Sequence, residues 1–296
     1  MQEKLILKKD LKEKKEWINI YLDRFLPRKD EYPKDIHKAL RHTLFAGGKK
    51  LRPYLAIQTY LLFKDDIETI KPVAASLETL HTYTLIHDDL PEIDNDEIRR
   101  GKKACHVLYG PDLALMAGDS LLCYSFQILS TCDLPAPLKL KLIKEMAECA
   151  GDQGLIAGQY VDIISETKTV PKKTLTFIHH NKTAKLLLLA IRFGALVAKA
   201  SKDDLARLEK YGEKMGLAFQ IIDDILDIEG SAGTLGKSIG KDIEEGKATF
   251  PSIYGLYESK EMARKLIDDA LKILDYYGEK AETLKTLTEF IYTRKF

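Results

Sequence analysis

The chain is poor in the features that mark secreted, membrane-spanning or nucleic-acid-binding proteins. Its 296 residues hold only four cysteines, at 105, 123, 132 and 149. They are too sparse for a disulfide scaffold, and their spacing offers no CxxC metal site. In their apolar surroundings all four are expected to be reduced and buried. No stretch approaches 18 consecutive apolar residues, so no membrane span is expected. The opening segment MQEKLILKKDLKEKKEW is charged throughout and has no apolar run of the signal-peptide kind, which predicts a cytoplasmic location. Forty-six Lys and Arg face 45 Asp and Glu, a formal net charge of +1, so no overall field favours nucleic acid or an anionic membrane. No Pro-, Gly- or Ser-rich linker divides the sequence, and one domain over residues 1–296 is expected. No segment alternates β-branched and polar residues with period two, so essentially no sheet is expected.

What is present is helical. Residues 3–26 alternate Leu and Ile with Lys and Glu at helical spacing and stop at Pro27. Further helices are predicted from Lys34 to Phe45, from Tyr54 to Phe63, from Pro72 onward, and around 137–165. The nearly all-apolar Asp112–Ser130 predicts a buried central helix. Oily helices are more numerous than a single-layer bundle needs, so several are expected to line a cavity or a subunit interface.

Two acidic stretches stand out. HTYTLIHDDLPEIDNDEIRRG, His81 to Gly101, carries an apolar helix into Asp88 and Asp89, breaks at Pro91, adds Asp94 and Asp96, and ends on Arg99 and Arg100. Proline lacks the amide hydrogen and crowds the preceding turn, so the helix should stop near Leu90 and leave its carboxylates gathered at the end. Oxygen ligands beside two guanidinium groups suit Mg2+ shared between carboxylates and a polyphosphate. In FQIIDDILDIEG, Phe219 to Gly230, Asp223 and Asp227 lie one helical turn apart, about 6 Å of rise, with Gln220 one turn earlier. Leu217, Ile221, Ile225 and Ile228 are expected to pack inward on the other side. Acidic groups on an oily helix are costly to bury unpaired, and a metal or a wet cavity removes the difficulty. The other Asp-Asp pairs, at 65–66, 203–204 and 268–269, sit in polar or helix-terminal settings and read as structural.

Basic residues punctuate the chain near these stretches. AGGKKLRP, Ala46 to Pro53, combines two glycines with Lys49, Lys50 and Arg52. His81, Thr84 and Asp88 share one helix face. GQYVD, Gly158 to Asp162, puts polar groups into an apolar helix, as do His179 to Thr183 and Lys185 in the segment from 175 to 200. A lysine there either snorkels outward or meets an anion, and the residues alone favour snorkelling. His179 and His180 read as satisfied polar residues, since no third nitrogen or sulfur ligand has a recognisable spacing. After Gly230 a glycine-rich segment with Lys237, Lys241 and Lys247 reads as a mobile lid. Two acidic helices with basic loops could hold a diphosphate and polarise its carbon–oxygen bond, with apolar walls for a hydrocarbon.

Together DDLPEIDNDEIRRG, GGKKLRP, GQYVD, NKT, FQIIDDILD and GKATFPS resemble the trans-isoprenyl diphosphate synthases, most closely the bacterial farnesyl (geranyl) diphosphate synthases. The six motifs occur in order over nearly the whole chain. The resemblance implies an all-α, isoprenoid-synthase-type helical bundle around a deep central cavity, usually homodimeric, with three Mg2+ ions and Mn2+ as an alternative. It implies that Asp88 and Asp94, with Asp89 in support, bind metal on one wall, and Asp223 and Asp227 on the other. Arg99, Lys182 and Lys237 would hold an allylic diphosphate, with Thr183, Gln220 and Lys247 near the developing cation. Lys49, Arg52, His81 and Arg100 would hold isopentenyl diphosphate. The implied reaction is ionisation, attack by the isopentenyl double bond and loss of a proton.

Tyr83 and Thr84, five and four positions before Asp88, would line the side of the channel and set product length. An aromatic at 83, with the two-residue widening of the acidic motif, resembles enzymes that stop at fifteen carbons, so farnesyl diphosphate from dimethylallyl or geranyl diphosphate is expected. Geranylgeranyl or geranyl diphosphate is the alternative product. A terpene cyclase and a non-catalytic partner subunit are more distant readings, weakened by the second aspartate motif and by both motifs being intact. Three departures from the family pattern are Lys50 in place of Arg, Ala157 in place of Gly, and the extra charge of Lys185. None is expected to touch a residue with a primary role, although Lys185 could alter affinity for the allylic substrate.

Overall fold

Helices follow one another as the apolar periodicity predicts. The computed structural model describes residues 2–166, 170–229 and 249–293, the first three of these by backbone alone. The expected lid, with Lys237, Lys241 and Lys247, lies outside the described residues. Helix α1 spans Gln2–Phe25, α2 Lys34–Leu44, α3 Leu51–Leu61 and α4 Lys71–Asp88. After a short ribbon come α5 Cys105–Tyr109, α6 Pro111–Thr131, α7 Ala136–Ala150, α8 Leu155–Ser165 and α9 Lys172–His179. A π turn, His180–Ala184, leads into α10 Lys185–Val197 and α11 Lys202–Glu229. The last helices are α12 Phe250–Tyr254, α13 Leu256–Leu274 and, beyond a 3-10 stretch, α14 Glu282–Thr293.

Apolar burial decides the arrangement. Helix α4 lies along α6, α10 along α3 and α11, and α11 along α13. Leu186, Leu187, Ala190, Ile191 and Phe193 of α10 are buried, as are Leu55, Ala56 and Ile57 of α3. Each buried Leu, Ile or Phe contributes about 1.5–3 kcal/mol, which offsets the polar groups carried by the same helices.

Several expectations need correction. Helix α3 starts at Leu51 instead of Tyr54, because Pro53 falls in its first turn, where no amide hydrogen is needed. Helix α6 is not buried all round: Ala114, Ala117, Gly118, Leu121 and Ile128 face inward, whereas Leu115 and Met116 are 46% and 47% exposed. It is also the one helix among the described residues that is long and apolar enough to cross a membrane by length and composition. Its packing against α2, α4, α5 and α7 is that of a bundle helix. Cys105, Cys132 and Cys149 are buried, but Cys123, on the outer face of α6, is exposed. Ile228 is 39% exposed and Leu217 only partly buried, because the inward stripe of α11 narrows to Ile221, Ile222 and Ile225.

A two-residue ribbon, Ile98–Arg99 paired antiparallel with Lys102–Lys103, is too short to leave a period-two signature. Arg100 and Gly101 connect its strands, both with positive φ, as a two-residue hairpin turn requires. The remaining aspartate pairs are structural, as expected. Asp66 accepts from Tyr60 Oη, Asp204 pairs with Ser201 at the start of α11, and Asp268 and Asp269 meet Arg264 and Lys214.

Candidate active site

The first acidic motif is a tight turn on the end of α4. The Asp94 amide donates to Asp88 O at 2.9 Å, the Ile93 amide to Leu90 O at 2.9 Å, and Asn95 takes the left-handed conformation that closes the loop. Asp88 and Asp94 are thereby brought onto one turn. Burial first, and then the neighbouring charges of Asp94 and Asp89, outweigh Lys182 and push the Asp88 carboxyl up to about 6. Asp89 is buried beside them and accepts from Arg99 Nε at 2.7 Å and from Arg99 Nη2, which also donates to Asp96 Oδ2 at 2.9 Å. The two carboxylates fix the Arg99 guanidinium from both sides.

Lys182 does not snorkel. It sits on the π turn, and its Nζ donates to Asp162 Oδ2 of α8 at 2.6 Å. Burial alone would lower this ammonium, but Asp162, Asp88 and Asp94 together raise it, so it stays charged and faces the end of α4. Gly158 makes the arrangement fit: a Cβ there would lie 2.4 Å from the Lys182 amide nitrogen, so only glycine lets α8 approach the π turn this closely. A π turn widens the helix by one residue and is common at functional sites. Thr183 follows Lys182 on the same turn. Lys185, whose charge the sequence left open, reaches the carbonyl of Gln153 at 2.5 Å.

On α11 Asp223 and Asp227 lie one turn apart. Gln220 reaches Asp224 Oδ1 at 2.9 Å. Asp224 is buried and accepts from the Phe250 amide at 2.9 Å, with His179 Nε2 at 3.3 Å. His179 also stacks on the Phe250 ring. It packs there with Nε2 buried and making no hydrogen bond, where the sequence suggested a satisfied polar residue. Asp223 is close enough to help stabilise the charge on Arg52 of α3, which ties the second acidic helix to the basic side of the site.

That basic side joins two sequence motifs. Arg100 Nη1 donates to Gly47 O at 3.2 Å, and its guanidinium lies over Gly48, whose positive φ favours glycine where the RRG turn folds over the GGKK loop. Arg52 Nη1 lies 3.0 Å from His81 Nε2. A guanidinium can only donate, so Nε2 accepts and the imidazole proton sits on Nδ1. Burial, and then the charges of Arg52 and Arg100, hold His81 well below the usual histidine range. Burial pulls Arg52 itself down to about 10. The Lys49 ammonium lies 5.7 Å from the Phe290 ring centroid.

Lys50 reaches the basic side of the site only through Glu78. In a left-handed backbone conformation it turns its ammonium inward to Leu44 O and Glu78 Oε1, each at 3.2 Å, and the same Glu78 oxygen is 3.6 Å from Arg100 Nη2. Sequence reasoning missed Glu78 and the role of Asp162. Glu78 is a lone carboxylate on an apolar helix face, which the search for paired aspartates passed over, whereas Asp162 stood out within GQYVD but without its partner. Below Asp88, Tyr83 and Thr84 are both 7% exposed, and the Tyr83 ring meets His87 edge-on at 4.9 Å.

Mg2+ suits the donors at the end of α4. Among the described residues no group of three His, Cys, Asp or Glu is arranged to hold a metal by itself. Two carboxylate oxygens on one turn, with phosphate and water supplying the rest, are how Mg2+ is usually held, and a cation there would offset the burial, and then the carboxylate repulsion, that raise Asp88.

With this geometry in view, comparison with known proteins is informative. The polyprenyl synthetase family matches residues 33–291. A geranylgeranyl diphosphate synthase of Cyanophora paradoxa is 43% identical over 96% of this chain and 95% of its own length. A farnesyl diphosphate synthase of Geobacillus stearothermophilus is 39% identical over 96% of each chain. Among solved structures, a Helicobacter pylori geranyltransferase complexed with magnesium and isoprenyl diphosphate superposes with a TM-score of 0.85, at 29% identity over 96% of both chains. An all-α bundle that carries both acidic motifs, and these full-length likenesses, lead to one conclusion: the chain belongs to the polyprenyl synthetase family and is a prenyltransferase of the trans-isoprenyl diphosphate synthase kind.

Proposed function

We propose that the chain, as one domain over residues 1–296, condenses isopentenyl diphosphate head-to-tail with an allylic diphosphate, dimethylallyl or geranyl, to give farnesyl diphosphate and diphosphate. The observation that carries this reading is a double charge relation. Lys182 faces Asp88 and Asp94, whereas Arg52, bonded to His81, senses Asp223. A cation beside the first acidic motif and another influenced by the second suit two diphosphate substrates.

In this reading Asp88 and Asp94, with Asp89 behind them, and Asp223 with Asp227 hold Mg2+, which when bound supplies positive charge to the departing diphosphate. Arg99 and Lys182 clamp the allylic diphosphate oxygens, already oriented by Asp89, Asp96 and Asp162. Thr183 and Gln220 present oxygens near the carbon that becomes cationic. Arg52, His81 and Arg100 hold the second diphosphate, His81 as a neutral donor through Nδ1–H. Lys49, Lys237 and Lys247 keep the roles that family likeness implies. Tyr83 and Thr84 bound the hydrocarbon channel and stop growth at fifteen carbons.

The chain is further inferred to act as a cytoplasmic homodimer. Met116, 47% exposed, borders a groove of about 470 Å³ that is also lined by Tyr32, Pro33, Ile36 and Leu113, with Lys34 and Asp35 at its edge, a largely apolar face suited to a second copy. Light scattering of the purified chain tests this, and a monomer at micromolar concentration would exclude it.

Incubation with isopentenyl diphosphate, Mg2+ and each of dimethylallyl, geranyl and farnesyl diphosphate, followed by product chromatography, tests the activity. Farnesyl diphosphate is the expected end product. Mainly twenty-carbon material would support the geranylgeranyl reading that the Cyanophora likeness suggests, and no consumption of isopentenyl diphosphate would defeat the proposal.

A further inference from the structure

Glu78 is a carboxylate with no solvent exposure, one turn before His81 on α4. Its Oε1 is shared by Lys50 Nζ at 3.2 Å and Arg100 Nη2 at 3.6 Å. Its Oε2 is buried and makes no hydrogen bond among the described residues. The same holds for Arg52 Nε and His81 Nδ1 in the same pocket. Of the charges acting on Arg52, that of Glu78 is the strongest.

Three cations, from Lys50, Arg52 and Arg100, therefore gather about one buried carboxylate. Like charges at this spacing repel, and in water each would swing outward on its flexible stem. Arg100 is held at both ends of its guanidinium: Nη1 by Gly47 O and Nη2 by Glu78. Without the second anchor the guanidinium would be free to rotate away from its place over Gly48. One negative charge among three positive ones keeps the cations together yet leaves the pocket net positive.

We propose that Glu78 is a positioning residue of the isopentenyl diphosphate pocket: a permanent counter-charge that locks Arg100 and Lys50 in the arrangement that receives the second diphosphate. This rests on the reading of that pocket given above. Glu78 does not touch the reacting carbons. It acts through the groups that do the holding, so its loss should weaken one substrate and spare the other.

Steady-state kinetics of the full chain with Mg2+, varying isopentenyl and geranyl diphosphate separately, test the proposal. For Glu78→Gln the KM for isopentenyl diphosphate should rise about tenfold, while that for geranyl diphosphate stays within about twofold. Glu78→Asp, which keeps the charge on a shorter stem, should recover part of the loss. The double variant Glu78→Gln/Lys50→Met leaves no unmatched charge between those two positions, so it carries the same test should the single variant fail to fold. Because Arg100 remains unanchored in it, its KM for isopentenyl diphosphate should stay raised. A return to the wild-type KM in the double variant would mean that Glu78 only neutralises Lys50, and would overturn the proposal. Equal changes in both KM values, or none, would overturn it as well. A wild-type chain that leaves isopentenyl diphosphate unconsumed would instead sink the functional reading, and this proposal with it.

Discussion

Asp162 Oδ2 lies 2.6 Å from Lys182 Nζ, across a seam between α8 and the π turn that only Gly158 leaves narrow enough. The pair is partly buried, at 17% and 24% side-chain exposure, so the ammonium is fixed without being cut off from a ligand.

Removing that partner should cost both order and affinity. Asp162→Asn is expected to raise the KM for the allylic diphosphate about tenfold and lower stability by about 1–2 kcal/mol, less than a fully buried pair would lose. Kinetics together with urea unfolding check this. A KM change confined to isopentenyl diphosphate would contradict it.

Gly158→Ala tests the seam itself. The new methyl meets the Lys182 backbone, which cannot swing aside as a side-chain tip can, so a loss of about 1–3 kcal/mol is expected, with reduced turnover. Thermal unfolding and kcat should fall together.

The acidic helix ends can be tested by charge removal. Asp223→Asn should lower kcat by about two to three orders of magnitude with Mg2+ saturating, and chelation of the wild type should abolish turnover until Mg2+ is restored. Turnover that survives chelation would refute the metal reading.

Trimming Tyr83 should lengthen the product. Its ring packs against His87, and Tyr83→Ala would open that space to a longer chain. A shift from fifteen- toward twenty-carbon products is expected on chromatography; an unchanged distribution would place the channel floor elsewhere.

His81 links pH to stability. Its folded value is depressed below the unfolded 6.5, so the unfolded chain takes up a proton first as pH falls. The stability associated with the neutral imidazole is fully present above about pH 6.5 and declines below it, by about 1.4 kcal/mol per pH unit, until the folded value is reached. Urea unfolding at pH 7.5 and pH 5.5 should show the wild type losing more than His81→Gln. Equal losses would argue against a buried neutral imidazole.

The helical class, the order of the helices and both acidic motifs were legible in the sequence because each depends on neighbours a few residues apart. Apolar residues recur at helical spacing, Pro91 ends α4, and Asp223 and Asp227 fall one turn apart whatever surrounds them. What the sequence could not determine were the partners that distant segments bring. The residues around Lys182 favoured snorkelling until α8 supplied Asp162, and nothing near Lys50 in the sequence pointed to Glu78, onto which the left-handed loop turns it. Arg100 and Gly48 are separated by half a hundred positions and meet only when the ribbon folds over the loop. An ammonium or a carboxylate carries the same local pattern whether solvated or paired. Only packing decides how much water it loses and which opposite charge replaces that water, so the charge network of the site belongs to the tertiary structure.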